Sequence, residues 1–255
     1  MNKIIKYVLY DILRSRTVIG YTAFLFIMSF GLFNLENDPT KAVLSLLNVV
    51  LLIVPLISII FATIHFYNST EFIELLVSQP INRRKIFMSE YLGVALSLAM
   101  AFVVGVGVPA MIFNPGPTSI YLVTSGVFLS FIFTSLAFLS SVLTRDKAKG
   151  IGIALMLWFY FSLLYDGLVM FILFYFADYP LDNVTLALLS LNPIDLGRVL
   201  VLLNVDVSAL MGYTGALYKS FFGNWTGIAL AFGLMVHWTI VPIFIAQRKF
   251  VKKDL

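Results

Sequence analysis

Residues 43–66 read VLSLLNVVLLIVPLISIIFATIHF, and residues 67–90 follow as YNSTEFIELLVSQPINRRKIFMSE. The first stretch holds 24 residues without one Asp, Glu, Lys or Arg. A helix needs about 20 such residues to cross the hydrocarbon core of a bilayer. The second stretch carries Glu71, Glu74, Arg83, Arg84, Lys85 and Glu90, so it belongs outside the lipid. One crossing followed by a charged connection sets the pattern for the whole chain.

Five further apolar runs repeat it. They are Thr17–Phe33, Tyr91–Phe113, Ser119–Leu143, Gly150–Phe176 and Thr226–Ala246. The runs are long and continuous, unlike the alternating segments of about ten residues that build a membrane barrel. Backbone polar groups in lipid must be satisfied internally, so these spans are helices. The expected architecture is an all-α integral membrane protein with six transmembrane helices in a single transmembrane domain, residues 1–255. A seventh candidate, Leu196–Leu217, holds Asn204 and Asp206 at its middle. We expect helices there that pack on the outer face or dip partway into it.

Composition agrees. Of 255 residues 60% are hydrophobic and 12% charged, with a mean hydropathy of +0.98. Soluble domains have roughly 25% charged residues. A soluble domain, a disordered chain and a nucleic-acid binder are thereby excluded. There is no cysteine. The chain therefore has no disulfide framework and no thiolate metal site.

The net charge of +4 becomes informative when divided between the two sides. Lys3, Lys6, Arg14, Arg16, Arg83, Arg84, Lys85, Arg145, Lys147, Lys149, Arg248, Lys249, Lys252 and Lys253 all fall on one side of a six-span topology. Only Lys41, Arg198 and Lys219 fall on the other. Loops rich in Lys and Arg stay in the cytoplasm. Both termini are therefore expected there, in a multi-pass bacterial inner-membrane protein, and the first span is expected to be retained and not cleaved as a signal peptide.

Residues 1–16 read as an amphipathic interfacial helix. Ile5, Val8, Leu9, Ile12 and Leu13 form its apolar stripe, and Lys3, Lys6 and Arg14 face lipid headgroups. Within 67–90, Asn68 and Glu71 have the spacing of a helix cap and its partner. Phe72, Leu75 and Leu76 then make one apolar stripe, with Glu71 and Glu74 exposed opposite, before Pro80 ends the helix. A short acidic-apolar helix below two spans suits a groove on a peripheral partner. On the opposite side, residues 177–225 are expected to form a helical segment between spans five and six. Its stretch Asn192-Pro193-Ile194-Asp195-Leu196-Gly197-Arg198 reads as a capped helix start, with Asp195 and Arg198 spaced to pair.

Catalytic signatures are missing. No G-x-x-x-x-G-K-[ST] loop is present to cradle nucleotide phosphates, and no H-E-x-x-H or G-x-S-x-G occurs. The two histidines, His65 and His237, sit near span ends, and the nine methionines are dispersed. No catalytic residue and no metal site are expected. Asp166, beside Tyr165 within the fifth span, is the intramembrane exception. A carboxylate there costs roughly 2.5–3.5 kcal/mol to insert, so it should face the bundle interior or a cavity, with Tyr165, a neighbouring hydroxyl or water as partner.

Six spans, an amphipathic N-terminus and the run Glu74-Leu75-Leu76-Val77-Ser78-Gln79-Pro80-Ile81-Asn82-Arg83-Arg84 resemble the permease subunits of type-2 ABC exporters. The resemblance covers nearly the whole chain. In that family the loop after the second span is the coupling helix that docks on the ATPase, which implies this role for Glu71, Phe72, Glu74, Leu75, Leu76, Pro80, Arg83 and Arg84. The second half is similar to the permeases of the nitrous oxide reductase maturation machinery, through Leu164-Tyr165-Asp166, Leu191 to Arg198, Ala209 to Gly215, Trp238 to Pro242 and Phe250 to Leu255. Gly197 replaces the phenylalanine common before the arginine. The resemblance implies a homodimer and a NosF-type ATPase below that binds ATP and Mg. Above, it implies a NosD-type periplasmic β-helix protein docking at Asn192, Asp195 and Arg198. A copper chaperone is a further implied partner, and the cargo would be a sulfur species or copper. The alternatives are a drug or lipid exporter, or a proton-coupled transporter using Asp166.

Overall fold

A computed structural model describes residues 2–176, 182–202 and 225–252. The described residues are helices joined by short turns, with no strand among them. Ten helices follow in order: α1 (Asn2–Leu13), α2 (Arg16–Leu35), α3 (Pro39–Asn68), α4 (Thr70–Val77), α5 (Arg83–Phe113), α6 (Pro117–Leu143), α7 (Lys147–Tyr175), α8 (Asp182–Ser190), α9 (Pro193–Leu202) and α10 (Trp225–Lys252). Six of them are long and apolar enough to cross a membrane: α2, α3, α5, α6, α7 and α10. The six expected spans are all present, each extended at one or both ends; α5 starts eight residues before the expected Tyr91, and α7 ends at Tyr175, one residue before the expected Phe176.

Four of the extended starts are capped by side chains. Ser15 accepts from the Val18 amide at 3.3 Å and starts α2. Asp38 accepts from Thr40 at 2.9 Å ahead of Pro39 and starts α3. Asn82 accepts from Arg84 at 2.9 Å and Asp146 from Lys149 at 3.0 Å, starting α5 and α7. Each satisfies an amide that the first helical turn leaves without a partner. The Lys149 N–H also holds the exposed Asp146 carboxyl below its ordinary value of 3.8.

The core lies between α3, α5 and α6. Two thirds of the central part of α6 is buried (67%), against 11% for α7 and 22% for α10. Phe87, Phe102, Phe133 and Phe138 are fully enclosed. Phe138 meets Phe66, Phe87 and Tyr91 edge-on at 5.3–5.7 Å. Gly126 of α6 lies under the Phe102 ring, where a β-carbon would collide with it.

Part of the α1 stripe meets protein and not lipid. Val8 and Ile12 are buried, and a β-carbon on Gly93 of α5 would stand 2.5 Å from Val8 Cγ1. Two spans contain a turn wound wider than an α-turn: Val103–Gly107 in α5 and Tyr160–Leu164 in α7. The first lies where α2 crosses closely, with Gly105 against Leu25 and the Thr22 carbonyl. Of the expected outer segment 177–225, residues 182–202 are described, as α8 and α9, bent through 109°. The remainder, including Asn204, Asp206 and most of Leu196–Leu217, lies outside the described residues.

Candidate functional site

The short helix α4 packs against α3 and α5, with Tyr7 of α1 beside Phe72. Ser69 precedes α4 as its cap, and its side chain makes no capping bond. Asn68, expected as the cap, remains the last residue of α3. Its Oδ1 instead accepts from Lys147 Nζ at 2.7 Å. An ammonium is a stronger donor than the Glu71 amide, and α3 keeps its ladder one residue further than the spacing suggested. Tyr67 reinforces this junction. Its hydroxyl lies 2.5 Å from Thr144 Oγ1, and its ring fills the space where a side chain on Gly150 would stand. The α3–α4 junction and the basic α6–α7 connection are thereby bolted together.

The facing of α4 is rotated by about one residue from the expected stripe. Ile73 and Leu76 are buried, Phe72 is half-buried with its ring 5.5 Å from Tyr7, and Leu75 is 59% exposed. The four apolar residues among Phe72–Leu76 allow two stripes of equal quality, and contact with α3 and α5 selects Ile73 with Leu76. Glu71, Glu74 and Leu75 consequently share one outward surface. Pro80 and Arg84 are exposed and Arg83 half-buried in the turn into α5.

Glu90 was not distinguished by the sequence reading. It is 1% exposed inside α5, with Oε2 3.5 Å from His65 Nε2. Its Oε1 has no hydrogen-bond partner in the structure. His65 Nε2 also lies 3.2 Å from Ser69 Oγ, the residue that starts α4. The available signal was the position of Glu90 itself, a carboxylate adjoining an uninterrupted apolar run. A polar trio, with Glu90 buried and His65 and Ser69 half-buried, therefore ties α3, α4 and α5 at their common end.

At the opposite end, Asp166, Asn192, Asp195 and Arg198 come together. Arg198 Nη1 donates to Asp195 Oδ1 at 2.9 Å and to Asp166 Oδ2 at 3.2 Å, and Nη2 donates to Asp166 Oδ2 at 3.3 Å. The Asp195–Arg198 pair is the one expected from their spacing. The partner of Asp166, Arg198, was not among those expected, because 32 residues separate the two. Asn192 Oδ1 caps α9 by accepting from the Ile194 amide at 3.0 Å. Its Nδ2 donates to Asp195 Oδ2 at 2.9 Å and to the Phe161 carbonyl at 3.1 Å. Tyr165 donates to the Leu188 carbonyl at 2.6 Å. Asn192 and Asp195 are buried, so they face the fold, whereas the side chains of Asp166 and Arg198 are each 35% exposed. Among the described residues no group of three or more His, Asp or Glu is placed to hold a metal ion.

Residues 49–255 match the sequence profile of the ABC-2 family transporter proteins, and the chain belongs to that family. It is a membrane-spanning permease subunit of the ABC transporter class with the type-2 permease fold. Within the class, it is 30% identical over 182 residues to the probable ABC transporter permease protein NosY of Pseudomonas aeruginosa, covering 67% of this chain and 66% of that protein. The NosY protein of Stutzerimonas stutzeri is 27% identical over 169 residues, covering 61% of each. The chain thus spans a little under two thirds of the length of these relatives.

Proposed function

We propose that the chain is the permease of an ATP-driven exporter-type complex resembling NosY, worked by a separate ATPase that docks on α4. The observation that carries the reading is the outward surface of Glu71, Glu74 and Leu75 on a helix anchored by Ile73 and Leu76. ATP and Mg bind in the ATPase and no cofactor binds in this chain. Pro80, Arg83 and Arg84 frame the docking surface, and His65, Ser69 and Glu90 carry its displacement into α3 and α5. The basic ends face the cytoplasm of a bacterial inner membrane, where lipid surrounds a homodimer.

The further reading follows the resemblance to NosY. The complex serves nitrous oxide reductase maturation, with a periplasmic β-helix protein held at the outer segment and a copper chaperone as a further partner. Because the buried Asn192 and Asp195 cannot touch that partner, they shape the platform and Arg198 alone reaches its surface. A chain without cysteine offers no thiolate to copper. This favours export of a sulfur species, or copper transfer between partners driven by conformational change, over a copper channel through this chain. A second reading, proton transport through Asp166, is favoured only by that residue's partial exposure.

The experiment is purification of the full chain from native membranes with its bound proteins, followed by ATPase assay in lipid. An ATPase and a β-helix protein should co-purify, and Glu71→Ala with Glu74→Ala should abolish stimulation while leaving insertion intact. Unchanged stimulation removes α4 from the coupling role. Asp166→Asn abolishing transport without nucleotide dependence would favour the proton reading.

A further inference from the structure

The wide turn of α7 and the outer corner between α8 and α9 are joined by bonds that no packing argument requires. In this turn the Tyr165 amide bonds to the Tyr160 carbonyl, five residues back. Such a turn contains one residue more than an α-turn, breaks the regular ladder and often marks a site of function. Asn192 reaches across from the corner and bonds to the Phe161 carbonyl inside it. Immediately beyond the turn, Tyr165 holds the last turn of α8 through Leu188, and Asp166 holds α9 through Arg198. Three ties to the corner therefore originate within six residues of one span.

The part of α7 before the turn is held independently. Lys147 bonds to Asn68, Gly150 is seated against Tyr67, and Trp158 donates to the Leu52 carbonyl of α3 at 3.2 Å. The wide turn is thus the joint between a fixed inner half and an outer half tied to the corner. Rewinding it to an α-turn shifts the helical register by one residue. That shift rotates the outer half by about 100° relative to the inner half. Asp166 would then leave Arg198, and Tyr165 would leave Leu188. Space for the swing exists, since α7 is the least enclosed span and Gly152 and Gly167 have nothing within 4 Å of an added β-carbon.

We propose that the fifth span carries a register switch: the wide turn Tyr160–Leu164, held open by Asn192, sets Asp166 on Arg198, and its rewinding frees the outer corner. Net charge sharpens the device. Two carboxylates share one guanidinium, so the ion pair is held by geometry and not by an excess of positive charge. The planar guanidinium fixes its donors in a rigid fork toward both acids, whereas an ammonium is a compact charge whose donors rotate freely. Use of the switch as an outer gate in an ATP-driven cycle rests on the function proposed above; the switch itself does not.

The test uses the absence of cysteine. Nitroxide labels at Gly152→Cys and Gly167→Cys flank the turn at open positions in the full-length chain, which is placed in lipid nanodiscs and diluted with unlabelled chain. Pulsed electron resonance then reads one intrachain distance. The otherwise unaltered chain should give a single narrow population. Asn192→Ala and Arg198→Gln should each add a second resolved population, and Arg198→Lys a smaller one. Asp166→Asn, close in shape and neutral, gives the same reading if Asn192→Ala fails to insert. One unchanged population in Arg198→Gln and Asp166→Asn overturns the proposal. Addition of the ATPase with a non-hydrolysable nucleotide tests the gate separately. A second population in the variants with none on nucleotide binding removes the gate and leaves the switch standing.

Discussion

Leu75 and Leu76 are adjacent and chemically identical, yet the structure assigns them different work. Leu76 is 8% exposed and packs into the core; Leu75 is 59% exposed beside Glu71 and Glu74. Full burial of a leucine contributes about 1.5–3 kcal/mol. If α4 enters a groove on an ATPase, the exposed 59% of Leu75 is what docking covers, or about 1–2 kcal/mol. Leu75→Ala should therefore weaken ATPase association by about five- to thirtyfold while leaving the permease's own stability unchanged. Leu76→Ala should do the reverse at the level of the isolated chain, with a loss of about 2–5 kcal/mol of folding stability. The assay is a titration of purified ATPase onto each variant in nanodiscs, paired with thermal unfolding of the permease alone. Equal affinity for Leu75→Ala and the unaltered chain would refute the docking surface. A large drop in melting temperature for Leu75→Ala would refute the facing of the helix.

Other perturbations test separate parts. Gly126→Ala drives a methyl into the Phe102 ring and should destabilise the chain by about 1–3 kcal/mol. Phe102→Leu in the same chain should recover part of that, read by unfolding in detergent. Tyr67→Phe removes the hydroxyl shared with Thr144 and should loosen both the α3–α4 junction and the α6–α7 connection, seen as faster amide exchange in residues 141–147. Asp146→Ala should fray the start of α7, and Asp146→Asn should not. Because the Asp146 carboxyl is held below its ordinary value of 3.8, its contribution is present above that value. It is lost as pH falls through the lower folded one, so in strong acid the unaltered chain should approach the exchange pattern of Asp146→Asn and not that of Asp146→Ala.

The spans were legible in the sequence because lipid imposes one demand, a long apolar run without charge, and periodicity does not enter. Partners across the fold were not. Asp166 could be recognised as needing one, but Arg198 lies on another helix, and only the bend between α8 and α9 brings it near. Four apolar residues in α4 admitted two facings, and contact with neighbouring helices chose between them. Asn68 looked like a cap until Lys147, distant in sequence, took its oxygen. Glu90 was passed over because acids flanking a connection are common, and its burial depends on α3 standing beside it. In each case local residues fixed the element, and a contact made at long range fixed what it does.

The bolt between Tyr67, Thr144, Asn68 and Lys147 has a mechanical corollary. Clamping the α3–α4 and α6–α7 connections removes independent rotation of the second and fifth spans at that end. Torque applied through α4 cannot be dissipated there as slack. In the cycle proposed above it would be delivered along the fifth span to the wide turn at Tyr160, as through a shaft gripped at one end with its universal joint near the middle.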